Sequence, residues 1–192
     1  MLYIYGAPTV HENGHETAYA LLEYAYGRLA GGAMPPIVRT ELGKPYFLRS
    51  HLEFSLSHTK TMAFCAISNH PIGIDAETVR PVRRGVAERT MNPGELEWMA
   101  EQPDADRAFL QLWTMKEAWA KLSGKGLNGR PQEIVLLWKN GAASVEGEKA
   151  RFQTREVEQV MVSVCTPYHE QADWTVLQAL PPASREAQAC LP

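Results

Sequence analysis

The sequence predicts an α+β fold, and three observations support this prediction. Short apolar strands come first, helical patterns dominate after position 84, and strands return after position 133. Strands and helices that are segregated in this way are typical of α+β domains, whereas doubly wound sheets alternate them regularly. The 192 residues suffice for one domain of ordinary size or for two small halves that share a core.

The first elements are a strand and an amphipathic helix. Residues 1–7 form a short, mostly apolar run, and at residues 15–29 alanine and leucine recur at helical spacing. Residues 30–50 are rich in glycine and proline, which predicts a loop. Three strands are predicted next, at residues 54–57, 61–68 and 72–77.

The middle of the chain is predicted to be helical. Asn92 followed by Pro93 indicates a helix start, with an N-cap residue and then proline at the first helical position. Asp104 is expected to cap a longer helix that runs to about Ser123, where Gly124 ends it.

Strands return in the last third of the chain. They are predicted at residues 133–138, 143–145, 159–166 and 173–180. Lys139-Asn140-Gly141 predicts a type I′ hairpin turn between the first two of these strands. The polar, Pro/Ala-rich residues 181–192 are expected to form a loose tail.

Composition excludes several classes of protein. With 45% hydrophobic and 21% charged residues, the chain can bury enough apolar surface to fold, so disorder as its main state is excluded. A formal net charge of −3 argues against a protein built chiefly to bind nucleic acid. No run approaches the roughly 20 apolar residues that span a bilayer, so we expect no membrane partner.

The sequence also indicates a cytoplasmic protein. The N-terminus lacks the basic segment and the apolar run of a signal peptide. Cys65, Cys165 and Cys190 are odd in number and widely spaced, so they predict neither a disulfide framework nor a metal-binding pair. Reduced thiols in a core are the simplest interpretation.

The segment Ile72 to Glu77 carries the first candidate site. Side chains alternate along a strand, so Asp75 and Glu77 should share one face while the isoleucines point to the other. Two carboxylates so placed repel each other unless a cation lies between them, and Mg²⁺ suits such oxygen ligands when phosphates complete its shell. The alternative without a metal is a strand end that turns towards solvent, where the same two residues would be equally suitable.

The second candidate lies on the long helix. Glu117 and Lys121 are four residues apart and therefore share a helix face. A Glu–Lys pair at this spacing is also a common surface feature. The rest of this helix is strongly apolar, however, so a charged pair on it is expected to face a cleft.

Ser57 and His58 form the third candidate, at the predicted end of a strand. A hydroxyl, an imidazole and the free backbone N–H groups of a turn can hold a phosphate. An ordinary turn stabilised by serine, with a histidine on the surface, fits the same residues.

Residues 11–15 match the H-E-x-x-H pattern of zinc proteases letter for letter. The pattern functions only when His11 and His15 lie on one continuous helix face. Asn13-Gly14, a turn or cap signal, stands between them and argues against such a face. A zinc-dependent hydrolase that uses these two histidines is therefore an alternative function.

Taken together, the order and spacing of the motifs resemble the 4'-phosphopantetheinyl transferases, over about residues 40 to 166. The match is to the single-chain type with two similar halves, which serves peptide and polyketide synthases. The resemblance is carried by Gly43-Lys44-Pro45, Phe54-Ser55-Leu56-Ser57-His58, Ile72-Gly73-Ile74-Asp75-Ala76-Glu77 and the segment from Trp113 to Leu127. It implies two α+β halves related by pseudo-twofold symmetry, here residues 1–71 and 72–180, with the active site in the cleft between them.

The resemblance also implies a reaction and its partners. The family transfers the 4'-phosphopantetheine group of coenzyme A to a serine hydroxyl of an apo acyl or peptidyl carrier protein, with Mg²⁺, and the single-chain type is expected to be a monomer. Carried over by motif, the implied Mg²⁺ ligands are Asp75, Glu77 and Glu117. The implied contacts to the phosphates of coenzyme A are Lys44, Ser57, His58 and Lys121.

Elementary chemistry agrees with this interpretation. Displacement at phosphorus needs positioning, charge neutralisation and deprotonation of the nucleophile. Glu117 is placed to accept the serine proton, directly or through a metal-bound water, and Lys121 can stabilise or protonate the departing 3',5'-ADP. A module that binds coenzyme A or a carrier protein without catalysis is the other alternative.

Overall fold

The structure, a computed structural model, describes residues 1–10, 13–139 and 142–180. The strands are β1 (Leu2–Pro8), β2 (Ile37–Arg39), β3 (Pro45–Phe47), β4 (Glu53–His58), β5 (Met62–Ser68), β6 (Gly73–Thr78), β7 (Leu136–Lys139), β8 (Ala142–Val145), β9 (Arg151–Val157), β10 (Val160–Thr166) and β11 (Asp173–Val176). The helices are α1 (Gly14–Ala30), α2 (Arg84–Thr90), α3 (Pro93–Ala100) and α4 (Ala105–Ser123), with a short 3-10 helix at Pro131–Glu133. The predicted α+β class is confirmed.

Two sheets are built with the same chain path. Their strand orders are β11-β1-β5-β4 and β6-β10-β9. In each case the chain forms one strand, then helix, then a small two-stranded sheet, and then a hairpin. The second strand of that hairpin pairs antiparallel with the strand at which the path began. This repeat agrees with two similar halves. Strand β11, from the segment predicted for the second half, pairs with β1, so the division at residue 71 stays a prediction.

The described residues form four layers, because both central strands are apolar on both faces. On β5, Cys65 and Ile67 face α1, while Phe64 and Ala66 face the second sheet. On β10, Val162 and its neighbours two residues away face the first sheet, and the intervening side chains face α4. The order is therefore α1, first sheet, second sheet and α4.

The predicted helix boundaries follow from their caps. Asn92 and Glu95 form a reciprocal capping box at the start of α3. The Asp104 side chain accepts a hydrogen bond from the Arg107 N–H at the start of α4. Gly124 ends α4 in the left-handed conformation, with a φ of 71°. Among the described residues, no helix has the length and apolar character needed to cross a membrane.

Some predicted elements differ from the structure. Strands β2 and β3 lie in the predicted loop at 30–50, because strands of three residues give almost no periodic signal. Strand β9 was not predicted, since an edge strand tolerates the polar residues that it carries. The strand predicted at 133–138 begins as a 3-10 helix and becomes extended at Leu136. The predicted type I′ turn at Asn140-Gly141 and the predicted tail at 181–192 lie outside the described residues.

Candidate functional site

Strand β6 carries Asp75 and Glu77 on the face that packs against α4. Ile74 and Ala76 point the other way, into the core between the two sheets. The alternation predicted from the sequence is therefore confirmed. Gly73 lies so close to α4 that an added Cβ would stand 1.9 Å from the Ala118 carbonyl oxygen. This close contact brings the carboxylates of β6 to the helix that carries Glu117.

Asp75 is the centre of the polar contacts at this site. Its Oδ1 accepts hydrogen bonds from the Lys121 Nζ at 2.8 Å and from the Ser57 hydroxyl at 3.1 Å. Lys121 also donates to the Leu56 carbonyl oxygen at 3.3 Å. The second oxygen of Asp75, Oδ2, is buried without a hydrogen-bond partner among the described residues.

Glu77 and Glu117 are half-buried, and each has a pKa above its ordinary value. Burial is the main cause of the raised pKa of both side chains, and the Asp75 carboxylate is the second. Lys121 opposes the shift at Glu117, and Arg80, 3.4 Å from Glu77, opposes it at Glu77. The Asp75 carboxylate thus disfavours the charged form of both glutamates, and Glu77 adds to this effect at Glu117.

The donors of this cluster suit a hard divalent cation. Within the described ranges, no three acidic, histidine or cysteine side chains converge as a ready-made metal site. The three carboxylates nevertheless offer only oxygen ligands, and the Asp75 Oδ2 lacks a partner. A cation would also offset the Asp75 charge, which adds to the effect of burial in raising the pKa of Glu77 and Glu117. The residues therefore fit Mg²⁺.

Next to these carboxylates lies a cleft of about 380 Å³. It is lined from both repeats of the fold, with α1, the β2–β3 hairpin and β4 on one side and α4 on the other. Glu117 and Lys121 line it on the α4 side, and Lys44 and His58 line it on the opposite side. Ser57 does not line the cleft; its hydroxyl is hydrogen-bonded to Asp75 and to the Ala76 N–H.

Lys44 connects the β2–β3 hairpin to the end of α4. Its Nζ donates to the Leu122 carbonyl oxygen at 2.8 Å, across 78 residues of sequence. Burial lowers the pKa of Lys44, and the Glu53 carboxylate opposes this shift. A cation at the C-terminal end of a helix is favourable because the helix dipole is negative there.

His58 lies against the first turn of α1. A Cβ added to Gly14 would meet the imidazole Nδ1 at 2.5 Å, so the glycine provides the space for this ring. His15 and Tyr19, one turn apart on α1, also line the cleft, and their ring centroids are 4.8 Å apart.

The structure does not favour the zinc-site alternative. Helix α1 begins at Gly14 with Asn13 as its N-cap, so the described residues do not form the continuous helix face that the motif needs. His11 and Glu12 lie outside the described residues. His15 belongs instead to the wall of the cleft.

Sequence reasoning missed a buried ion pair beside the site. Lys116 is fully buried, and its Nζ donates to the Glu95 Oε2 at 2.6 Å and to the Pro131 and Thr90 carbonyl oxygens. Burial lowers the pKa of Lys116, and Glu95 opposes this shift. The contacts anchor three neighbouring segments to α4 at the residue before Glu117. Their only sequence signal was a lysine on the apolar side of α4, away from the polar face that carries Glu117 and Lys121.

Removal of one partner of this pair should destabilise the fold strongly. We expect Lys116→Ala to lower the free energy of unfolding by about 3–5 kcal/mol, because the Glu95 charge stays buried without its partner. Glu133→Gln is the matched control, since it breaks the exposed pair with Arg130 and should cost well below about 1 kcal/mol. Guanidinium unfolding of the variants measures both values, and equal costs would contradict the prediction.

Comparisons with known proteins identify the family of the chain. The model of the 4'-phosphopantetheinyl transferase superfamily matches residues 71–176, which is more than half of the chain. The 4'-phosphopantetheinyl transferase gsp of Aneurinibacillus migulanus is 36% identical over 91 residues, which cover 46% of this chain and 38% of the relative. A 4'-phosphopantetheinyl transferase of Bacillus subtilis is 38% identical over 110 residues, which cover 55% of this chain and 49% of the relative.

The matched segments span less than half of the length of these two relatives. The solved structure of the holo-[acyl-carrier-protein] synthase of Thermotoga maritima aligns with 50% of this chain and 61% of its own. The alignment has a TM-score of 0.44 and a sequence identity of 23%.

Proposed function

Because the chain belongs to the 4'-phosphopantetheinyl transferase superfamily, we propose that it transfers the 4'-phosphopantetheine group of coenzyme A to a serine hydroxyl of an apo carrier protein. The observation that carries this proposal is the position of Glu117 and Lys121. Both line the cleft and lie beside the Asp75 carboxylate. A base, a cation and candidate metal ligands thus stand at one end of a cleft that is lined with further basic side chains.

Asp75, Glu77 and Glu117 would hold Mg²⁺, since their oxygens suit this ion and Asp75 Oδ2 lacks a partner. The bound ion would neutralise charge on the pyrophosphate of coenzyme A. Lys44, His58 and Lys121 would contact the phosphates from the walls of the cleft.

Glu117 is the proposed general base. Its side chain lines the cleft together with Lys121, so it is placed to reach a hydroxyl that enters there. It would accept the proton of the carrier serine as the hydroxyl oxygen attacks the β-phosphorus of coenzyme A. The bond from that phosphorus to the bridging oxygen breaks, and 3',5'-ADP leaves with the electron pair. The ammonium of Lys121, one helical turn further on, would stabilise the charge on this leaving group.

The decisive experiment is a transfer assay. The protein is incubated with coenzyme A, Mg²⁺ and a panel of apo acyl and peptidyl carrier proteins, and each carrier is weighed by mass spectrometry. A gain of one phosphopantetheine arm on a single serine is expected. Binding of coenzyme A without any mass gain on any carrier would indicate the non-catalytic module instead. Chelation of zinc should leave the activity intact.

We expect Lys44→Ala and His58→Ala to act mainly on coenzyme A binding. Both side chains line the cleft and would contact phosphates in the ground state and the transition state alike, so KM should rise more than kcat falls. Lys149→Ala, which removes an exposed lysine that does not line the cleft, is the control. Steady-state kinetics with coenzyme A varied gives both constants. A collapsed kcat with an unchanged KM would contradict these roles.

A basic surface next to β6 is the proposed docking site for the carrier protein. Arg83 and Arg84 are both exposed at the start of α2. Arg84 pairs with Glu88 at 2.8 Å, and Arg80 pairs with Glu77, whereas within the described residues Arg83 makes no ion pair. The carrier proteins that this family modifies are typically acidic around the modified serine, so this surface has the complementary charge.

The double variant Arg83→Glu/Arg84→Glu tests that surface. Its KM for the apo carrier should rise at low salt and approach the wild-type value at high salt, because complementary charges mainly raise the association rate and salt screens them. Its KM for coenzyme A should stay constant, which serves as the internal control. A carrier KM that does not move at low salt would place the recognition surface elsewhere.

We propose that the enzyme is a monomer in the cytoplasm. The described cysteines, Cys65 and Cys165, are both buried and free, which suits a reducing compartment.

A further inference from the structure

Two serine hydroxyls join the two sheets at the edge of the cleft. Strand β6 is an edge strand of its sheet, so every second backbone N–H points away from its neighbour β10. The Ile74 N–H donates to the Ser55 hydroxyl at 3.0 Å, and the Ala76 N–H donates to the Ser57 hydroxyl at 3.1 Å. Side chains of β4 thus replace the strand that β6 lacks on this side.

The two serines differ in where the hydroxyl proton goes. A serine hydroxyl has a single proton to donate. That of Ser57 is directed to the Asp75 Oδ1 at 3.1 Å, and Ser57 does not line the cleft. Ser55 lines the cleft and makes no hydrogen bond to a carboxylate among the described residues. Ser57 is therefore placed to act on Asp75 rather than on a ligand in the cleft.

We propose that Ser57 is a positioning residue for the metal-binding carboxylate and not a phosphate contact, an inference that rests on the proposed function. With Lys121, it fixes Oδ1 of Asp75 by two hydrogen bonds and leaves the buried Oδ2 for the cation. Loss of a hydrogen bond to a metal-ligating carboxylate typically lowers metal affinity by about 10–100-fold. Ser57 also couples the two repeats of the fold, because one hydroxyl contacts the backbone and the carboxylate of β6 at once.

Two binding measurements without turnover test this role. The affinity for Mn²⁺ is measured by electron paramagnetic resonance with saturating coenzyme A and no carrier protein. The affinity for coenzyme A is measured separately by calorimetry without metal. Ser57→Ala should weaken Mn²⁺ binding by about tenfold and leave metal-free coenzyme A binding unchanged. Ser57→Thr, which keeps the hydroxyl, should retain most of the Mn²⁺ affinity.

Ser55→Ala is the matched control, since it removes the same kind of link to β6 without touching a carboxylate. The two alanine variants should lose thermal stability to a similar extent, and only Ser57→Ala should lose Mn²⁺ affinity. Weaker coenzyme A binding with unchanged Mn²⁺ binding would make Ser57 a phosphate contact and overturn the inference. Equal loss of Mn²⁺ affinity in both variants would indicate that the two sheets pack less tightly in general, and it would overturn the inference. A wild-type protein that binds no Mn²⁺ would overturn the metal assignment together with the inference.

Discussion

Asp75→Asn and Glu117→Gln should each reduce phosphopantetheine transfer by on the order of 1,000-fold or more while leaving the fold intact. Both substitutions preserve the shape of the side chain and remove its charge. At Asp75 the change removes a proposed ligand of Mg²⁺ and the anion that pairs with Lys121. At Glu117 it removes a second proposed ligand together with the proposed base. The effect should therefore fall mainly on kcat, because the variants stabilise the charge that develops in the transition state less well than the wild-type protein does.

The measurement is the initial rate of mass gain on an apo carrier protein at saturating coenzyme A and Mg²⁺. Glu146→Gln, at an exposed glutamate outside the cleft, is the matched control and should keep the wild-type rate. Circular dichroism and thermal unfolding establish that the variants are folded. Near wild-type turnover by either variant at saturating Mg²⁺ would reject the assignment of that carboxylate.

Gly73→Ala is expected to disrupt both the fold and the site. The new methyl group would stand 1.9 Å from the Ala118 carbonyl oxygen and 2.5 Å from the Leu122 backbone nitrogen, so α4 and β6 must separate. Overpacking of a core typically costs about 1–3 kcal/mol, and here both neighbours are backbone atoms that cannot rotate away. Since α4 carries Glu117 and Lys121 and β6 carries Asp75, the separation should also abolish most of the activity.

A comparison with Gly27→Ala isolates this effect. Gly27 lies within α1 with open space around its Cα, so alanine there should be neutral or should stabilise the helix by about 0.5–1 kcal/mol. Guanidinium unfolding and the transfer assay are applied to both variants. If Gly73→Ala keeps wild-type stability and turnover, the tight packing of β6 on α4 is not what positions the site.

The local arrangement of the site could be predicted from the sequence. Alternation along β6 predicted that Asp75 and Glu77 share a face, and their contacts with α4 agree with it. A spacing of four residues predicted that Glu117 and Lys121 share a helix face, and both line the cleft. These predictions succeeded because the direction of a side chain depends on backbone geometry that repeats every 2.0 or 3.6 residues.

Contacts between distant segments could not be predicted in this way. Lys44 reaches the carbonyl oxygen of Leu122, and Lys121 reaches Asp75 across 46 residues. The pairing of Lys116 with Glu95 depends on how α3 packs against α4, and the segment around Glu95 does not indicate that this residue is buried. Periodicity gives the direction in which a side chain points but does not identify the side chain that it meets.

The sequence by itself determined the α+β class and the capped helices, because each depends on neighbours within a few positions. The tertiary structure alone decided how Ser57 is used. Its hydroxyl bonds to two groups of β6 that lie 18 and 19 residues away, and that contact exists only because the edge of one sheet packs beside the edge of the other. A serine hydroxyl can donate its hydrogen bond to a phosphate or to a carboxylate equally well, so the sequence does not distinguish the two roles. Only the packing of the two sheets does.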